Sequence, residues 1–560
     1  MQKTIYEHGL GTHSFSELHI ALNDSATAFD AIVGVDDEVK KRGSVKFQAF
    51  VDGRQVFDSG IMRGGDDPKP VRIDLKGAKR LLLIVNDGGD GIENDHADWA
   101  NARLTTLATA STAPQAVSAE NIPAPAIART DNSVLSINSP DVIGVSPYKP
   151  FIFLIPATGK GPLKYGANNL PEGLTVDSSA GIISGVVNHS GTYTVRLSVT
   201  TGLAMITKEL VIKAKDCKLA LTPPLGWNHW NCWGGRIDAQ KIKDAADWLV
   251  KSGLAAHGYQ YINIDDGWEG ERDANGVITS NSRFPDMKEL ADYVHSKSLK
   301  IGIYSGPGIT TCQRLDGSLA HEEQDAKRWS DWGFDYVKYD LCSYNDMLRK
   351  KAVVPTASDY RAPYELMGKC LRKQNRDIVY GLCEYGLGEV WNWGAEIGGN
   401  SWRTTNDIVD YWGITSHIGF AQEPIASYGG PGHWTDPDML VVGKIGVATK
   451  GRLHDSFLNQ NEQVTHITLW SMLPAPLMIG CDLSQLDQFT TDLLSNDEVI
   501  AINQDSLGQP AKCVQKVGQL EVWSRKLHDG STAVAMFNRS PFVTDMNVDF
   551  ATIGINGQQK

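Results

Sequence analysis

The sequence predicts a multidomain protein. Its largest unit is a (β/α)8 TIM barrel, with two β-sandwich domains ahead of it and an antiparallel β domain behind. Three observations lead there. The chain has 560 residues, several times the roughly 100–200 of a usual domain. Before residue 217 short strand-like runs alternate with Gly/Asp turns and show no helical period. From about residue 219 short β runs alternate with helical stretches, giving eight units in about 290 residues.

The elements follow in chain order. Residues 1–107 hold Ser44–Val51, Val71–Leu75 and Leu81–Val85, which read as strands of a sandwich. Residues 108–134 are rich in Ala, Ser, Thr and Pro and read as a linker. Residues 135–216 return to strands, clearest at Gly173-Leu-Thr-Val176 and Gly191–Val199, and read as an immunoglobulin-like sandwich. Residues 219–508 form the barrel. Its first helix has Asp238 as N-cap, Ile242, Ala245, Ala246, Leu249 and Val250 at helical spacing, and Gly253 as its stop. The eight strands are placed at Leu225–Trp230, Tyr261–Ile264, Leu299–Tyr304, Tyr336–Asp340, Ile378–Glu384, Ser401–Thr405, near Gly432–Met439 and near Leu477–Gly480. Residues 509–560 carry Leu520–Trp523 and Ala533–Phe537 and return to strands, reading as a C-terminal antiparallel β domain.

Composition narrows the function. A net charge of −13 with no basic block argues against nucleic acid, whose phosphates need clustered Lys and Arg. No apolar run reaches the roughly 20 residues of a membrane span, and the first residues lack the pattern of a signal peptide. Of 15 Trp, all but Trp99 lie at or after Trp227. Aromatic faces beside carboxylates suit sugars, although most of these Trp are expected in the core.

In a barrel of this kind the site lies at the C-terminal ends of the strands. The residues there are Trp227, His229, Trp230, Asp265, Asp266, Tyr304, Lys338, Asp340, Glu384, Arg403, Asp407, Asp436 and Asp438. A ring of acids with Trp, Lys and Arg, and no Ser-His-Asp or metal-ligand spacing, points to glycosidic-bond chemistry. Lys338 and Asp340 are two apart and share a strand face, so the ammonium should favour an ionised Asp340. Arg403, Thr405 and Asp407 share a face in the same way if the strand runs that far. Asp265 and Asp266 are adjacent and are expected where their strand turns into a loop.

From Leu221 onward the chain resembles glycoside hydrolase family 27, the α-galactosidases and α-N-acetylgalactosaminidases. The resemblance rests on Thr222–Trp230, Ile264-Asp-Asp-Gly-Trp268, Gly302-Ile-Tyr-Ser305 with Thr311-Cys312, and Tyr336–Cys342. It continues through Cys383-Glu384, Ser401–Ile408, Trp434–Leu440 and Glu498–Asp505. It implies a retaining exo-glycosidase that removes terminal α-linked galactose, with Asp340 as nucleophile and Asp407 as acid/base. Mutual repulsion should then keep Asp407 protonated and Asp340 charged. It further implies that Arg403 and Glu384 contact the sugar 2-position, Asp265 and Asp266 the 4- and 6-hydroxyls, and that Lys338 bridges sugar and nucleophile. Trp230, Tyr304, Cys312, Leu387, Asp438 and Met439 complete the wall. Glu384 and Leu387 should exclude a 2-acetamido group, so galactose is expected over N-acetylgalactosamine. A β-L-arabinopyranosidase, an α-N-acetylgalactosaminidase and a non-catalytic galactose-binding protein are the alternatives.

The resemblance also implies a Cys312–Cys342 disulfide, with Cys217, Cys232, Cys370, Cys383, Cys481 and Cys513 mostly free. Two departures stand out. Gly267 replaces a usual Cys, and Cys383 lacks its usual partner near Gly399. Residues 1–107 resemble the novel carbohydrate-binding module of bacterial glycosidases through Gly9–His13, Val33–Asp37 and Asp95–Arg103. Residues 135–216 resemble the Ig-like module of bacterial surface proteins through Leu170–Val176 and Gly181–Gly185. That company implies a bacterial protein that is secreted, periplasmic or at the cell surface. No cofactor and no catalytic metal are expected. Asp87–Glu93 reads as a turn, with a structural calcium ion as the alternative. His13 and His96 read as structural rather than as ligands. His321-Glu322 lacks the second His of HExxH because Asp325 stands there, and Glu322, Glu323 and Asp325 read as a solvated helix face. Trp329 and Trp332 read as packing residues, and Trp99 as core or groove lining. The partner expected is a galactosyl glycan, and the oligomeric state is left open.

Overall fold

The computed structural model describes residues 1, 3–88, 94–118, 125–202, 204–216, 218–350, 354–449, 451–540 and 542–555. Its centre is an eight-stranded, wholly parallel sheet. The strands are β1 (Leu225–Asn228), β2 (Tyr261–Asn263), β3 (Lys300–Ser305), β4 (Tyr336–Asp340), β5 (Val379–Cys383), β6 (Ser401–Arg403), β7 (Trp434–Asp436) and β8 (Leu477–Ile479). Their order along the sheet is β7-β6-β5-β4-β3-β2-β1-β8, and a parallel bridge from Leu440 to Ile479 brings the two edges together. Strands buried on both faces read as short apolar runs, and nearly every strand residue is buried.

Helices cover the outside. Ala239–Lys251 starts at Asp238, whose carboxylate accepts from the Lys241 amide at 2.9 Å. Ile242, Ala245, Ala246 and Leu249 face the core. Val250, expected with them, is exposed. Between β5 and β6 a 3-10 segment, Leu387–Asn392, takes the place of the helix.

The first 117 residues form two facing sheets, one of four strands and one of five. Gln115–Val117, inside the stretch read as linker, pairs with Ser16–Ala21. Trp99 is buried edge-to-face against Phe29 and Phe47 in this core, so it lines no groove. The next sandwich packs sheets of four and three strands. It meets the N-terminal end of the barrel, where Asp377 accepts from the Ser146 amide at 2.6 Å, on the face opposite the strand ends that carry chemistry. Three antiparallel strands, Lys512–Val517, Leu520–Lys526 and Thr532–Asn538, close the described chain.

One acidic helix face differs from expectation. Asp325 is buried and makes a two-pronged ion pair with Arg272, at 2.7 and 2.8 Å. Glu322 is also buried, and only Glu323 is exposed. Trp329 and Trp332 pack in the core as expected. His96 bonds Glu38, and His13 bonds the Ser14 carbonyl. Gly89–Glu93, most of the segment weighed for calcium, and Cys217 lie outside the described residues.

Candidate active site

The site is built from loops leaving the C-terminal ends of β1 to β7. After β2 the chain leaves strand geometry at Asn263, so Asp265 and Asp266 both sit in the turn. Asp265 is gripped from three sides. Asn228 donates at 2.9 Å, Lys338 pairs at 2.8 Å, and the Asp266 amide donates at 2.9 Å. Burial opposes its charge, but Lys338, His229 and the Asp266 amide together outweigh that and hold the carboxyl below the usual range. The Asp265 amide donates to His229 Nδ1 at 3.0 Å, which places that ring's proton on Nε2. Burial pushes His229 down to about 4, so it is a neutral prop behind the site. Trp227 is likewise behind it, donating to the Cys481 carbonyl.

Asp266 accepts from the Gln313 amide at 2.7 Å through Oδ2, while Oδ1 is buried with no partner among the described residues. Burial, joined by the charges of Asp265 and Asp340, pushes its carboxyl up to about 7. Gly267 lies at φ +117°, a backbone region open to Gly and strained for the Cys usual in the family.

Asp340 ends β4. Its Oδ1 accepts from Tyr385 Oη at 2.6 Å, and its Oδ2 is 3.8 Å from Lys338 Nζ. Lys338 is thus primarily the partner of Asp265, not of Asp340. Burial raises the Asp340 pKa, Asp407 and Asp265 add to the rise, and Lys338 and Tyr385 pull it down, leaving it above the ordinary value. Lys338 favours the ionised form of Asp340, as expected, but does not outweigh burial. Beside it Cys312 and Cys342 form the disulfide, and Tyr304 Oη meets Cys342 Sγ at 3.0 Å. Cys232, Cys370, Cys383, Cys481 and Cys513 are free. Among the described residues, Cys312, Asp340 and Cys342 are the one His/Cys/Asp/Glu group close enough to hold an ion. The disulfide takes up both sulfurs.

β6 stops at Arg403, so Asp407 does not share its strand face. Asp407 instead stands in the following loop, 62% exposed, with Arg403 Nη2 at 3.0 Å from its Oδ1. The same nitrogen is 2.8 Å from Asp438 Oδ2. Asp438, at φ +92°, also accepts from the Ile408 and Met439 amides at 2.8 and 2.7 Å. Burial, with the charges of Asp407 and Asp436, pushes it up to about 6. One guanidinium therefore ties the Asp407 loop to the end of β7. Its other arm, Nη1, points at the free Cys383 thiol at 3.7 Å, the position whose disulfide partner is missing.

Glu384 follows β5. It is fully buried, takes one long bond of 3.4 Å from the Gly386 amide, and leaves Oε2 without a partner among the described residues. Burial holds it well above the usual carboxylate range. Leu387 is half-buried beside it, and Trp230 packs in one cluster with Met439. Sequence reasoning missed Tyr385; nothing in the residue pattern marked a tyrosine after Glu384 as a partner of Asp340.

Comparison with known proteins agrees with this architecture. The family model "Alpha galactosidase A" matches residues 222–505, and the α-galactosidase C-terminal β-sandwich domain matches 517–560. An NPCBM/NEW2 domain matches 1–105 and an Ig domain 133–212. Alpha-galactosidase 2 of Arabidopsis thaliana is 45% identical over 342 residues, 60% of this chain and 81% of the relative. A Bacteroides fragilis structure, provisionally assigned as an α-galactosidase/melibiase, superposes with TM-score 0.70 at 38% identity over 75% of this chain and 89% of that one. A β-L-arabinopyranosidase of Geobacillus stearothermophilus superposes with TM-score 0.51 at 27% identity over 57% and 85%. The chain is a glycoside hydrolase and belongs to the α-galactosidase family, glycoside hydrolase family 27.

Proposed function

We propose that this enzyme, an α-galactosidase by family, releases terminal α-linked galactose from oligosaccharides, polysaccharides or glycoconjugates by retaining double displacement. The observation that carries the reading is a buried carboxylate, Asp340 at the end of β4, with a mostly exposed one, Asp407, held in the loop after β6 by Arg403 and close enough for its charge to raise the Asp340 pKa. Asp340 attacks the anomeric carbon while Asp407 gives a proton to the leaving oxygen, and the glycosidic C–O bond breaks. Water then attacks the same carbon, its proton passes to Asp407, and the ester to Asp340 breaks. Two inversions return the starting configuration. The displacement needs no metal or cofactor.

Two buried carboxylate oxygens without partners, Asp266 Oδ1 and Glu384 Oε2, support a ligand rich in hydroxyls, since buried acceptors are nearly always satisfied. Glu384 and Leu387 together crowd the position of a 2-acetamido group, which supports galactose. One second reading is a β-L-arabinopyranoside, favoured by the likeness to the Geobacillus enzyme. The first sandwich would hold the enzyme on its glycan, and the disulfide supports export to an oxidising compartment.

The experiment is a panel of nitrophenyl α-galactoside, α-N-acetylgalactosaminide and β-L-arabinopyranoside, with wild type and Asp340→Asn. Rapid hydrolysis of the first, abolished in the variant, is expected. Equal inertness of both proteins with galactose still bound would replace the enzyme by a lectin.

A further inference from the structure

The turn after β5 holds its side chains in an unusual way. Tyr385 adopts φ +62°, and Gly386 follows at φ +79°. A Cβ on Gly386 would come within 2.2 Å of the Thr404 carbonyl oxygen, so the turn is closed tightly against the segment after β6. A left-handed tyrosine is costly and persists only where the surroundings hold it. Here the ring lies with the Arg403 guanidinium 5.7 Å from its centroid, and the phenol reaches Asp340 Oδ1 at 2.6 Å. The two oxygens of Asp340 are therefore unlike. Oδ1 accepts a short bond from a neutral donor, while for Oδ2 the one ionic partner among the described residues is the Lys338 ammonium at 3.8 Å.

We infer that Tyr385 is a positioning residue for the displacement: it fixes Asp340 Oδ1 and leaves Oδ2 as the oxygen that bonds the anomeric carbon. The inference rests on Asp340 being the nucleophile. In the first step the Oδ2–C1 bond forms and the bond from C1 to the leaving oxygen breaks, with the proton supplied by Asp407. Oδ1 then becomes the ester carbonyl, and Tyr385 keeps its proton and its bond. In the second step water attacks C1 and gives its proton to Asp407, the C1–Oδ2 electron pair returns to Asp340, and the phenol stabilises the charge spreading onto Oδ1. The neutral donor also resists protonation of the free carboxylate, because a bond to the charged form favours that form.

Other groups act on the same carboxylate and must be kept constant. Lys338 on its own strand favours the charge, while Asp265 and Asp266 beyond β2 oppose it. From β5 and the turn after it Cys383 and Glu384 face it, Tyr304 faces it from β3, Tyr364 from the helix before β5, and Asp407 from beyond β6. A test should therefore remove the hydroxyl alone.

Tyr385→Phe does so and retains the ring against Arg403. The profile of kcat/KM against pH with nitrophenyl α-galactoside should show the acid limb moved up by roughly half to one unit. The plateau should fall about 10- to 100-fold, as expected for a bond to a charged group. Galactose affinity and thermal midpoint should change little. A limb that stays in place overturns the inference even if the rate falls, since loosened packing lowers rate without moving that pKa. Mass spectrometry of wild type trapped with a fluorinated galactosyl fluoride tests the underlying assignment separately. A label on Asp340 with an unmoved limb removes only the role of Tyr385; a label elsewhere removes both.

Discussion

Lys338 Nζ lies 2.8 Å from Asp265 Oδ2 and 3.8 Å from Asp340 Oδ2, so one partly buried ammonium serves a sugar-binding candidate first and the proposed nucleophile second. Removing one partner of a buried pair strands the other charge. Lys338→Met should destabilise the barrel by roughly 3–5 kcal/mol, whereas Lys338→Met with Asp265→Asn should cost clearly less. Urea denaturation of the four proteins of this cycle measures it. Because the Asp265 carboxyl is held below its usual range, the stability from the pair is present above about pH 4 and is lost as pH falls further. Additive losses in the double variant would show that the pair is not coupled.

The Cys312–Cys342 bridge closes a loop with a sequence separation of 30. Loop-closure entropy for that length amounts to roughly 3–4 kcal/mol. Since Tyr304 Oη meets Cys342 Sγ, reduction should disturb the sugar wall as well as stability. Mild reduction, or Cys312→Ser with Cys342→Ser, is expected to lower the thermal midpoint and to raise KM more than it lowers kcat. An unchanged KM in a folded, reduced enzyme would detach the disulfide from the binding wall.

These relationships differ in how visible they are in the sequence. The eight strands are legible because strands buried on both faces must be short apolar runs, and their order along the chain is their order along the sheet. Asp340 is legible because β4 runs to its end. Asp407 is not legible from strand parity: β6 stops at Arg403, and a side chain four residues on is held by that guanidinium rather than by the pleat. Asp325 reads as solvated because an acidic helix face usually is, yet Arg272, 53 residues away in the chain, neutralises it in the interior. Tyr385 escapes notice because its reach depends on a left-handed turn closed by Gly386 and the Thr404 carbonyl, contacts that no local pattern encodes.

Asp266 gives a pH test with a definite sign. Its carboxyl is pushed up to about 7 in the folded protein and ionises near 3.9 when unfolded. Between those values the unfolded state sheds its proton first, so folding loses stability as pH rises from about 4 to 7. Asp266→Asn removes that penalty. The variant should melt a few degrees above wild type at pH 8, with a much smaller gain or none at pH 4.5, while galactose binding is lost. Equal shifts in melting temperature at both pH values would contradict the raised pKa.

Glu384 and Leu387 carry the last expectation, because they are the residues proposed to face the sugar 2-position. Glu384 is fully buried with Oε2 unpartnered, and its carboxyl is held well above the usual range by burial, so it can donate to or accept from a 2-hydroxyl. In the proposed pose an acetamido group would meet both its carboxyl and the Leu387 side chain. Glu384→Ser with Leu387→Ala empties that volume and leaves one small hydroxyl. A site built to hydrogen-bond a substrate hydroxyl loses heavily when that partner goes, whereas relief of a clash restores a substrate it had excluded. The double variant should therefore lose at least about 10-fold in kcat/KM on nitrophenyl α-galactoside and gain at least about 10-fold on the α-N-acetylgalactosaminide, each about 1.4 kcal/mol. Each single variant should show the loss without the full gain, since either remaining side chain still blocks the acetamido group. If the double variant loses galactoside activity and gains nothing, these two residues bind the 2-hydroxyl but another part of the wall sets the choice of sugar.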